Sequence, residues 1–227
     1  MKLVLFDIDG TLVLTGGAGL RAMNKACEQI LGHGEILDGI PVAGRTDRII
    51  LQDALRRIGR DLDTVLFADL RARYLLWLER EIQLPGRGTK GVMPGVRELL
   101  QNLHSREDAF LGLLTGNFEG GARIKLGHFG LWDFFRCGAF GDDAADRNEL
   151  VPFAVSRVRA TGLPEPKPSD VLVVGDTPHD VACALAAGAT PVGVATGGFS
   201  VQQLRASGAD IVFEDLRVTA AFTALLE

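Results

Sequence analysis

The sequence has few of the features that mark several other protein classes. Its three cysteines lie far apart and form no CxxC pair, which argues against a disulfide framework or a cysteine zinc site and predicts reduced thiols in a cytoplasmic protein. No apolar run is long enough to cross a bilayer, and Asp7 and Asp9 interrupt the first apolar segment too early for a signal peptide. The net charge of −5 argues against nucleic acid or an anionic membrane as the main partner.

What the chain does have is an alternation of short apolar segments with helical patterns. At 227 residues and 47% hydrophobic content, it is long enough for one large domain and a smaller one. The predicted strands are 2–8, 109–115, 137–141, 170–175, 191–195 and 211–213. The predicted helices are 95–104, 120–129, 150–162, 179–187 and 201–207. This alternation predicts an α/β fold with a doubly wound, mostly parallel sheet covered by helices on both faces.

The segment 15–90 departs from this alternation. It contains no predicted strand, only three or four amphipathic helices, and segments rich in glycine and proline flank it at 16–19 and 85–95. We therefore predict a small all-helical cap domain over 15–90, inserted after the first strand, and a core formed by 1–14 and 91–227. A mobile cap over a site is one interpretation, and a fixed subdomain that only adds stability is the other.

Two aspartates stand directly after the first predicted strand. Asp7 and Asp9 point to the same side of an extended segment, and Gly10 lets the chain turn away from them. Burying two carboxylates is costly unless a cation lies between them. A divalent metal ion would offset that cost and would also bring a phosphate group to the carboxylates.

Two further polar segments follow predicted strands. Thr115, Gly116 and Asn117 end the second core strand, and Asp176 and Asp180 follow the fourth. Each has a plain alternative, because Thr115 could belong to an ordinary turn and Asp176 could cap the next helix. In a doubly wound sheet, however, ligands bind beyond the carboxyl ends of the strands. We therefore expect the three segments to converge on one site.

Together these motifs resemble those of the haloacid dehalogenase superfamily, over nearly the whole chain. The matching residues are Asp7, Asp9, Gly10, Thr11 and Leu12 in the first motif, Thr115 in the second, and Gly175, Asp176 and Asp180 in the fourth. The helical insert resembles the helical cap of that superfamily, which implies a Rossmann-like core. The segments 44–46 and 195–198 are similar to those of phosphoglycolate-phosphatase-like members.

The third motif of the superfamily, a lysine that neutralises the phosphate, has no direct match. Lys167 precedes the fourth core strand and is therefore predicted at the end of the sheet opposite the site. Arg147 follows the third strand at the catalytic end, so we predict that it replaces the lysine and binds two phosphate oxygens. An ion pair of Arg147 with Asp143 or Glu149 is the alternative, and Lys125 is the next candidate for the cation.

The resemblance implies hydrolysis of a small-molecule phosphate monoester with Mg²⁺. Asp7 would be the nucleophile and form an aspartyl-phosphate, while Asp9 would protonate the leaving alkoxide and then deprotonate water. Asp7, the backbone carbonyl of Asp9, and Asp176 would hold Mg²⁺. Asp180 would orient the metal-bound waters or Arg147.

The remaining predicted site residues contact the substrate. Thr115 and the backbone after it, at Gly116, would hold the transferring phosphoryl group, and Asn117 would reach the same oxygens or stabilise the turn. Arg45, at a loop tip of the cap domain, would recognise an anionic or hydroxylated substrate, or pair with Asp47 in solvent. The predicted partner is a small phosphorylated molecule, without nucleic acid or membrane, and the sequence leaves the oligomeric state open.

Other activities of the superfamily need different residues. Dehalogenating members lack an aspartate at the position of Asp9, and phosphonate-cleaving members need a lysine in the cap domain, where this chain has only Lys25 among its helices and Lys90 at the boundary. A phosphosugar mutase of the β-phosphoglucomutase type shares Asp7 and Asp9 and stays open as the alternative. A non-catalytic binding module would not require the four aspartates and Thr115 together.

Overall fold

The computed structural model describes residues 1–227 as eight strands and nine α-helices. The strands are β1 (Lys2–Phe6), β2 (Val13–Thr15), β3 (Lys90–Val92), β4 (Ala109–Leu114), β5 (Cys137–Ala139), β6 (Val171–Gly175), β7 (Thr190–Val194) and β8 (Ile211–Phe213). The helices are α1 (Ala18–Leu31), α2 (Asp47–Arg57), α3 (Thr64–Glu81), α4 (Val96–His104), α5 (Glu119–His128), α6 (Leu150–Ala160), α7 (Pro178–Ala186), α8 (Val201–Ala206) and α9 (Thr219–Thr223).

Six of the strands form one sheet in the order β5-β4-β1-β6-β7-β8, and every pair in it is parallel. From the central strand β1 the chain continues to β4 and β5 on one side and then to β6 on the other. The site-bearing loops after β1, β4, β5 and β6 therefore share one edge of the sheet. The predicted α/β fold with a doubly wound parallel sheet is confirmed.

Helices cover both faces of the sheet, and β1 shows why. Its side chains alternate, so that Val4 and Phe6 join the apolar cluster under α4, α5 and α9. Leu3 and Leu5 join the cluster under α6 and α7 on the opposite face. Because β1 is buried on both faces, its sequence is a continuous apolar run. No helix is long and apolar enough to span a membrane.

Strands β2 and β3 were not predicted, and they pair with each other as a separate antiparallel ribbon. They connect the helical segment to the rest of the chain, and their three-residue length leaves too short a pattern for prediction. Beside the ribbon, a Cβ on Gly16 would lie 2.5 Å from the Cα of Gly86. The two connecting segments therefore pass each other at glycines.

Helices α1, α2 and α3 pack around an apolar cluster of their own. It is built from residues 18–82, and Phe118 is its one member from outside that segment. On α3 the buried face is formed by Leu66, Leu70, Tyr74 and Leu78. The boundaries 15–90 for the cap domain stay a prediction, which this separate cluster supports.

Candidate active site

The loops at the carboxyl edge of the sheet surround a cavity of about 510 Å³ that the helical segment covers. The predicted site residues that line it are Asp7, Asp9, Arg45, Thr115, Gly116, Asn117, Arg147 and Asp176. Side chains from four separate loops of the core therefore meet at one place. Their arrangement shows which groups interact directly.

Asp7 is the first residue after β1, and its backbone N–H donates to the carbonyl of Val174, 2.9 Å away. This bond continues the pairing of β1 with β6 and so fixes the backbone position of Asp7 at the sheet edge. The side chain is buried, and its Oδ1 accepts a 2.8 Å hydrogen bond from Nη2 of Arg147. Burial raises the pKa of Asp7 to about 6, against the opposing effect of Arg147.

Asp176 stands directly after β6, close to Asp7. Its Oδ1 accepts a hydrogen bond from the hydroxyl of Thr11 at 3.1 Å. Burial, together with the charge of Asp7, raises the pKa of Asp176 to about 8. A Cβ on Gly10 would lie 2.5 Å from Oδ2 of Asp176, and one on Gly197 would lie 1.7 Å from it. The carboxylate of Asp176 therefore fits only because both positions lack a side chain.

Asp180 lies in the first turn of α7 and is almost fully buried. Its Oδ2 accepts from the backbone N–H of Thr177 at 3.0 Å and from the Thr177 hydroxyl at 2.7 Å, which closes a capping box. Its Oδ1 accepts a hydrogen bond from Arg147. Both oxygens are therefore engaged within the protein, so Asp180 orients Arg147.

Arg147 begins a short 3₁₀ turn after β5 and reaches the centre of the site. Its Nη2 contacts both Asp7 and Asp180, and its Nη1 donates to the carbonyl of Gly44 at 3.2 Å. The alternative pairing with Asp143 is absent, because Arg157 holds that carboxylate. The Nε–H of Arg147 is buried without a hydrogen-bond acceptor. It is the kind of free donor that a phosphate oxygen would satisfy.

The sequence named Lys125 only as the next candidate for the phosphate-neutralising cation, whereas the structure places its ammonium on Asp9. From α5, its ammonium donates to Oδ1 and Oδ2 of Asp9 at 2.8 and 2.6 Å, and to Oδ1 of Asn117 at 2.7 Å. The amide of Asn117 in turn donates to Asp9 Oδ2 and to the hydroxyl of Thr115, both at 2.8 Å. Lys125 and Asn117 together fix the carboxylate of Asp9. The signal in the sequence was the position of Lys125 after the second core strand, at the same end of the sheet as the site.

The start of α2 contacts the catalytic loops directly. Thr46 is the N-cap residue of α2, accepting from the Ile49 N–H, and its hydroxyl donates to the carbonyl of Ala145 at 2.8 Å. The backbone N–H of Asp47 donates to the carbonyl of Gly116 at 2.7 Å. The helical segment is therefore bound across the site by hydrogen bonds to two different core loops.

The close approach of α2 requires a glycine and buries a carboxylate. A Cβ on Gly116 would lie 2.1 Å from the carbonyl oxygen of Arg45, so no larger residue fits there. The Asp47 carboxylate accepts from the N–H of Phe118 at 2.9 Å. Burial raises the pKa of Asp47 to about 7, although the ammonium of Lys125 opposes this shift.

Arg45 lines the cavity, but its guanidinium is engaged elsewhere. Nη2 contacts Asp53 at 2.5 Å and Nη1 donates to the carbonyl of Pro41 at 2.9 Å. The alternative, an ion pair of Arg45 with Asp47, is wrong, since Asp53 is the partner. Recognition of substrate by Arg45 stays a prediction and would require the pair with Asp53 to open.

The acidic groups fit a hard divalent cation. Ligand oxygens of Asp7, Asp176 and Asp180 lie within 4.8 Å of one another. Asp180 is fully hydrogen bonded, whereas no donor contacts Oδ2 of Asp7 or Oδ2 of Asp176. The raised pKa values of Asp7 and Asp176 show that Arg147 alone does not compensate both charges. Carboxylate oxygens suit Mg²⁺, so Asp7 and Asp176 are the side chains that could hold it.

Comparisons with known proteins identify relatives of the chain. A family model described as haloacid dehalogenase-like hydrolase matches residues 1–188. The phosphoglycolate phosphatase of Rhodospirillum rubrum is 33% identical over 227 residues, covering 94% of this chain and 87% of that protein. A phosphoglycolate phosphatase of Cereibacter sphaeroides is 32% identical over 193 residues, covering 82% of this chain and 81% of that protein. The crystal structure of a hydrolase from Pseudomonas syringae has the same fold, with a TM-score of 0.69 at 24% identity, covering 99% of this chain and 98% of that one.

Proposed function

The chain belongs to the haloacid dehalogenase-like hydrolases, and we propose that it hydrolyses a small-molecule phosphate monoester with Mg²⁺ through an aspartyl-phosphate on Asp7. It is a phosphatase of that family. The observation that carries the proposal is the position of Asp7. It lies beside Asp176 at the sheet edge and is held by Arg147, whose Nε–H has no acceptor.

Asp7 is placed for attack because only one of its oxygens is engaged. Arg147 donates a hydrogen bond to Oδ1 and so fixes the orientation of the carboxylate. Oδ2 accepts no hydrogen bond. Asp180 fixes the guanidinium from the other side, so the nucleophile and the cation keep their relative position. A preorganised positive charge next to the attacked phosphoryl group stabilises the charge that builds up in the transition state.

The expected metal ligands are Asp7, the backbone carbonyl of Asp9, and Asp176. When bound there, Mg²⁺ supplies the positive charge that offsets the repulsion between the Asp7 carboxylate and a phosphate dianion. Thr115 and the backbone at Gly116 hold the phosphoryl oxygens, since both line the cavity beside Asp7.

Asp9 is the acid and base of the proposed reaction. It protonates the leaving alkoxide in the first step, and it takes a proton from the water that hydrolyses the aspartyl-phosphate in the second. Lys125 and Asn117 hold its carboxylate, and 41% of the Asp9 side chain is still exposed towards the cavity. The network therefore positions Asp9 and leaves it accessible to a substrate.

The cap domain, residues 15–90, covers this chemistry. Its separate apolar cluster and the hydrogen bonds from Thr46 and Asp47 to the core loops support a cap that closes over the bound ester and excludes water. The ribbon of β2 and β3 is the connection about which such a cap would move.

The test is turnover of p-nitrophenyl phosphate and of an alkyl phosphate with Mg²⁺, in the wild type and two variants. Asp7→Asn should abolish turnover and any acid-stable phosphoryl-enzyme, because the nucleophile is lost. Asp9→Asn should lose about 10²- to 10⁴-fold on the alkyl phosphate and less on p-nitrophenyl phosphate, whose leaving group needs little protonation.

Asp133, an exposed acidic residue, provides the matched control, and Asp133→Asn should keep wild-type rates. Equal losses for Asp9→Asn on both esters would remove Asp9 from the acid role. Isomerisation of a sugar phosphate without release of inorganic phosphate would favour the mutase alternative.

A further inference from the structure

The part of the cavity covered by the cap domain has an apolar wall. Leu20 and Met23 from α1, Leu37 and Val42 from the loop before α2, and Ile50 from α2 all line it. Leu20 is 42% exposed and Val42 is 41% exposed, so part of each apolar side chain is not covered by protein. Both therefore present apolar surface to whatever occupies the cavity.

The cavity offers almost no free positive charge beyond the phosphoryl position. Arg147 is bound to two aspartates, Lys125 to Asp9 and Asn117, and Arg45 to Asp53. Arg87 has no hydrogen-bonded or ionic partner for its side chain, but it is an exposed residue of the segment that leads into β3. The exposed Arg87 is therefore the one unpartnered cationic side chain that a second anionic group on the substrate would meet in the cavity.

The carboxyl groups that line the cavity also disfavour a second anionic group on the substrate. Asp47 lines the wall on the side of the cap domain, in addition to the aspartates of the core. An anion placed against that wall would be desolvated beside a carboxyl group and apolar side chains, which is costly. The same surroundings favour an alkyl or aryl group, because its binding removes apolar surface of both the ligand and the cavity wall from water.

The volume is larger than a two-carbon ester requires. At about 510 Å³ the cavity lies within the range of roughly 300–1,000 Å³ that holds drug-sized ligands. A phosphoryl group at Asp7 leaves most of that space to the leaving group. The apolar wall is thus available to an organic group of several carbons.

We propose that this enzyme selects phosphate monoesters with an uncharged, predominantly apolar leaving group, and that it discriminates against esters such as phosphoglycolate that carry a second anionic group. This inference rests on the proposed phosphatase function and specifies its substrate class. The cap-domain side chains Leu20, Met23 and Ile50 are the specificity-determining residues.

The first experiment measures kcat/KM for ethyl, butyl and hexyl phosphate, and for isobutyl phosphate against phosphoglycolate. The alkyl series shares one kind of leaving group, so chain length is the main variable, and kcat/KM should rise about threefold to fourfold per methylene until the cavity is full. Isobutyl phosphate and phosphoglycolate have the same number of heavy atoms beyond the ester oxygen. Isobutyl phosphate should be preferred by on the order of tenfold or more.

The second experiment changes the wall while leaving the catalytic groups intact. Leu20→Lys places a cation at a half-exposed position, where the ammonium can stay hydrated. It should lower kcat/KM for hexyl phosphate and raise it for phosphoglycolate, so that their ratio shifts by about tenfold or more. Comparing the ratio between variants cancels the intrinsic reactivity of the two esters.

Two control variants make the second experiment specific. Val65 is 72% exposed on α3 and does not line the cavity, so Val65→Lys should leave the ratio unchanged. Arg87→Ala should also leave it unchanged. A wild-type preference for phosphoglycolate that Arg87→Ala removes would overturn the proposal, because Arg87 would then bind the second anion.

The outcomes separate this inference from the proposed function. A flat alkyl series, or phosphoglycolate hydrolysed faster than isobutyl phosphate, overturns the substrate class while phosphatase activity stands. Absence of turnover with every ester, p-nitrophenyl phosphate included, overturns both.

Discussion

Arg147 shows how much one side chain organises in this site. One terminal nitrogen contacts both Asp7 and Asp180, and the other reaches the carbonyl of Gly44 in the cap domain. Its removal would leave two buried carboxylates without their cation, which is costly even where the intact ion pair adds little net stability. Effects on activity and on stability must therefore be measured separately.

We expect Arg147→Ala to reduce kcat/KM on the order of 10²-fold or more, because the charge beside the phosphoryl group is lost. The free energy of unfolding should also fall, by about 3–5 kcal/mol, as expected when one partner of a buried pair is removed. Arg147→Lys should recover part of both losses, since it keeps the charge but not the planar fork. Steady-state kinetics and urea denaturation of the three proteins give the comparison.

Lys167 provides the control for Arg147. It is exposed and precedes β6, at the end of the sheet opposite the site, so Lys167→Ala should have wild-type kinetics. A silent Arg147→Ala together with an inactive Lys167→Ala would contradict the assignment of the third motif.

Lys125 positions Asp9, and its replacement should affect the reaction through that residue. Lys125→Met keeps the length of the side chain but removes the ammonium that holds both oxygens of Asp9. We expect kcat to fall about 10- to 100-fold with an alkyl phosphate and less with p-nitrophenyl phosphate, because only the former depends on protonation by Asp9. Equal losses with both esters would instead place Lys125 on the phosphoryl group.

The first turn of α2 is the element that joins the cap domain to the catalytic loops. Its N-cap residue Thr46 contacts the loop after β5, and Asp47 contacts the loop after β4 through its backbone and its side chain. The carboxylate of Asp47 is therefore buried because the cap domain is bound to the core. Protonation of Asp47 and binding of the cap domain are then linked.

This linkage predicts a pH-dependent stability. Burial raises the pKa of Asp47 from 3.8 to about 7 in the folded protein. The stability that the folded protein owes to this shift is therefore fully present below about pH 4, and it is lost as the pH rises towards 7. Lys125 opposes the shift, and the charges of Asp9 and Asp142 add to it. Asp47→Asn keeps an oxygen for the N–H of Phe118 but cannot ionise.

Relative to wild type, Asp47→Asn should gain stability between about pH 5 and 7, by up to a few kcal/mol, and keep that gain above pH 8. Urea denaturation of both proteins across this range measures the difference. Asp133→Asn, at an exposed position, should show no such trend. If the wild type instead became more stable relative to Asp47→Asn as the pH rises, Lys125 would be stabilising the ionised carboxylate of Asp47.

The complete fold places the site between two apolar cores. The sheet edge supplies the acidic groups, and the helical segment with its own core supplies the apolar wall of the cavity. Neither part encloses the cavity alone. We therefore expect reaction chemistry and substrate selection to depend on different parts of the chain, which can be tested independently.

A divalent cation should act on the protein as a whole. Mg²⁺ should raise Tm, because binding to the folded state at about 100 times Kd contributes about 2.7 kcal/mol of stability. Asp176→Asn should lose this increase, and Asp133→Asn should keep it. Excess chelator should abolish turnover, and Ca²⁺ should substitute poorly, because it takes six to eight ligands at longer distances. Full turnover in excess chelator would contradict the mechanism.

The sequence predicted the sheet because the signal is local. Continuous apolar runs such as β1 and β6 are typical of strands buried on both faces, and their bounds differ from the prediction by one or two residues. The convergence of Asp7, Thr115 and Asp176 followed from the rule that parallel strands end at a common edge. The ribbon of β2 and β3 was missed because three residues carry too little pattern.

The acidic site and the class of chemistry could thus be predicted from short motifs, because each motif directly follows its strand in the sequence. The partners of those motifs depended on contacts between residues far apart in sequence. Only the tertiary structure placed Lys125 on Asp9, paired Arg45 with Asp53, and bound Asp47 to Gly116. These contacts arise from the packing of α2 and α5 against the sheet edge, and no periodicity within a single segment specifies that packing.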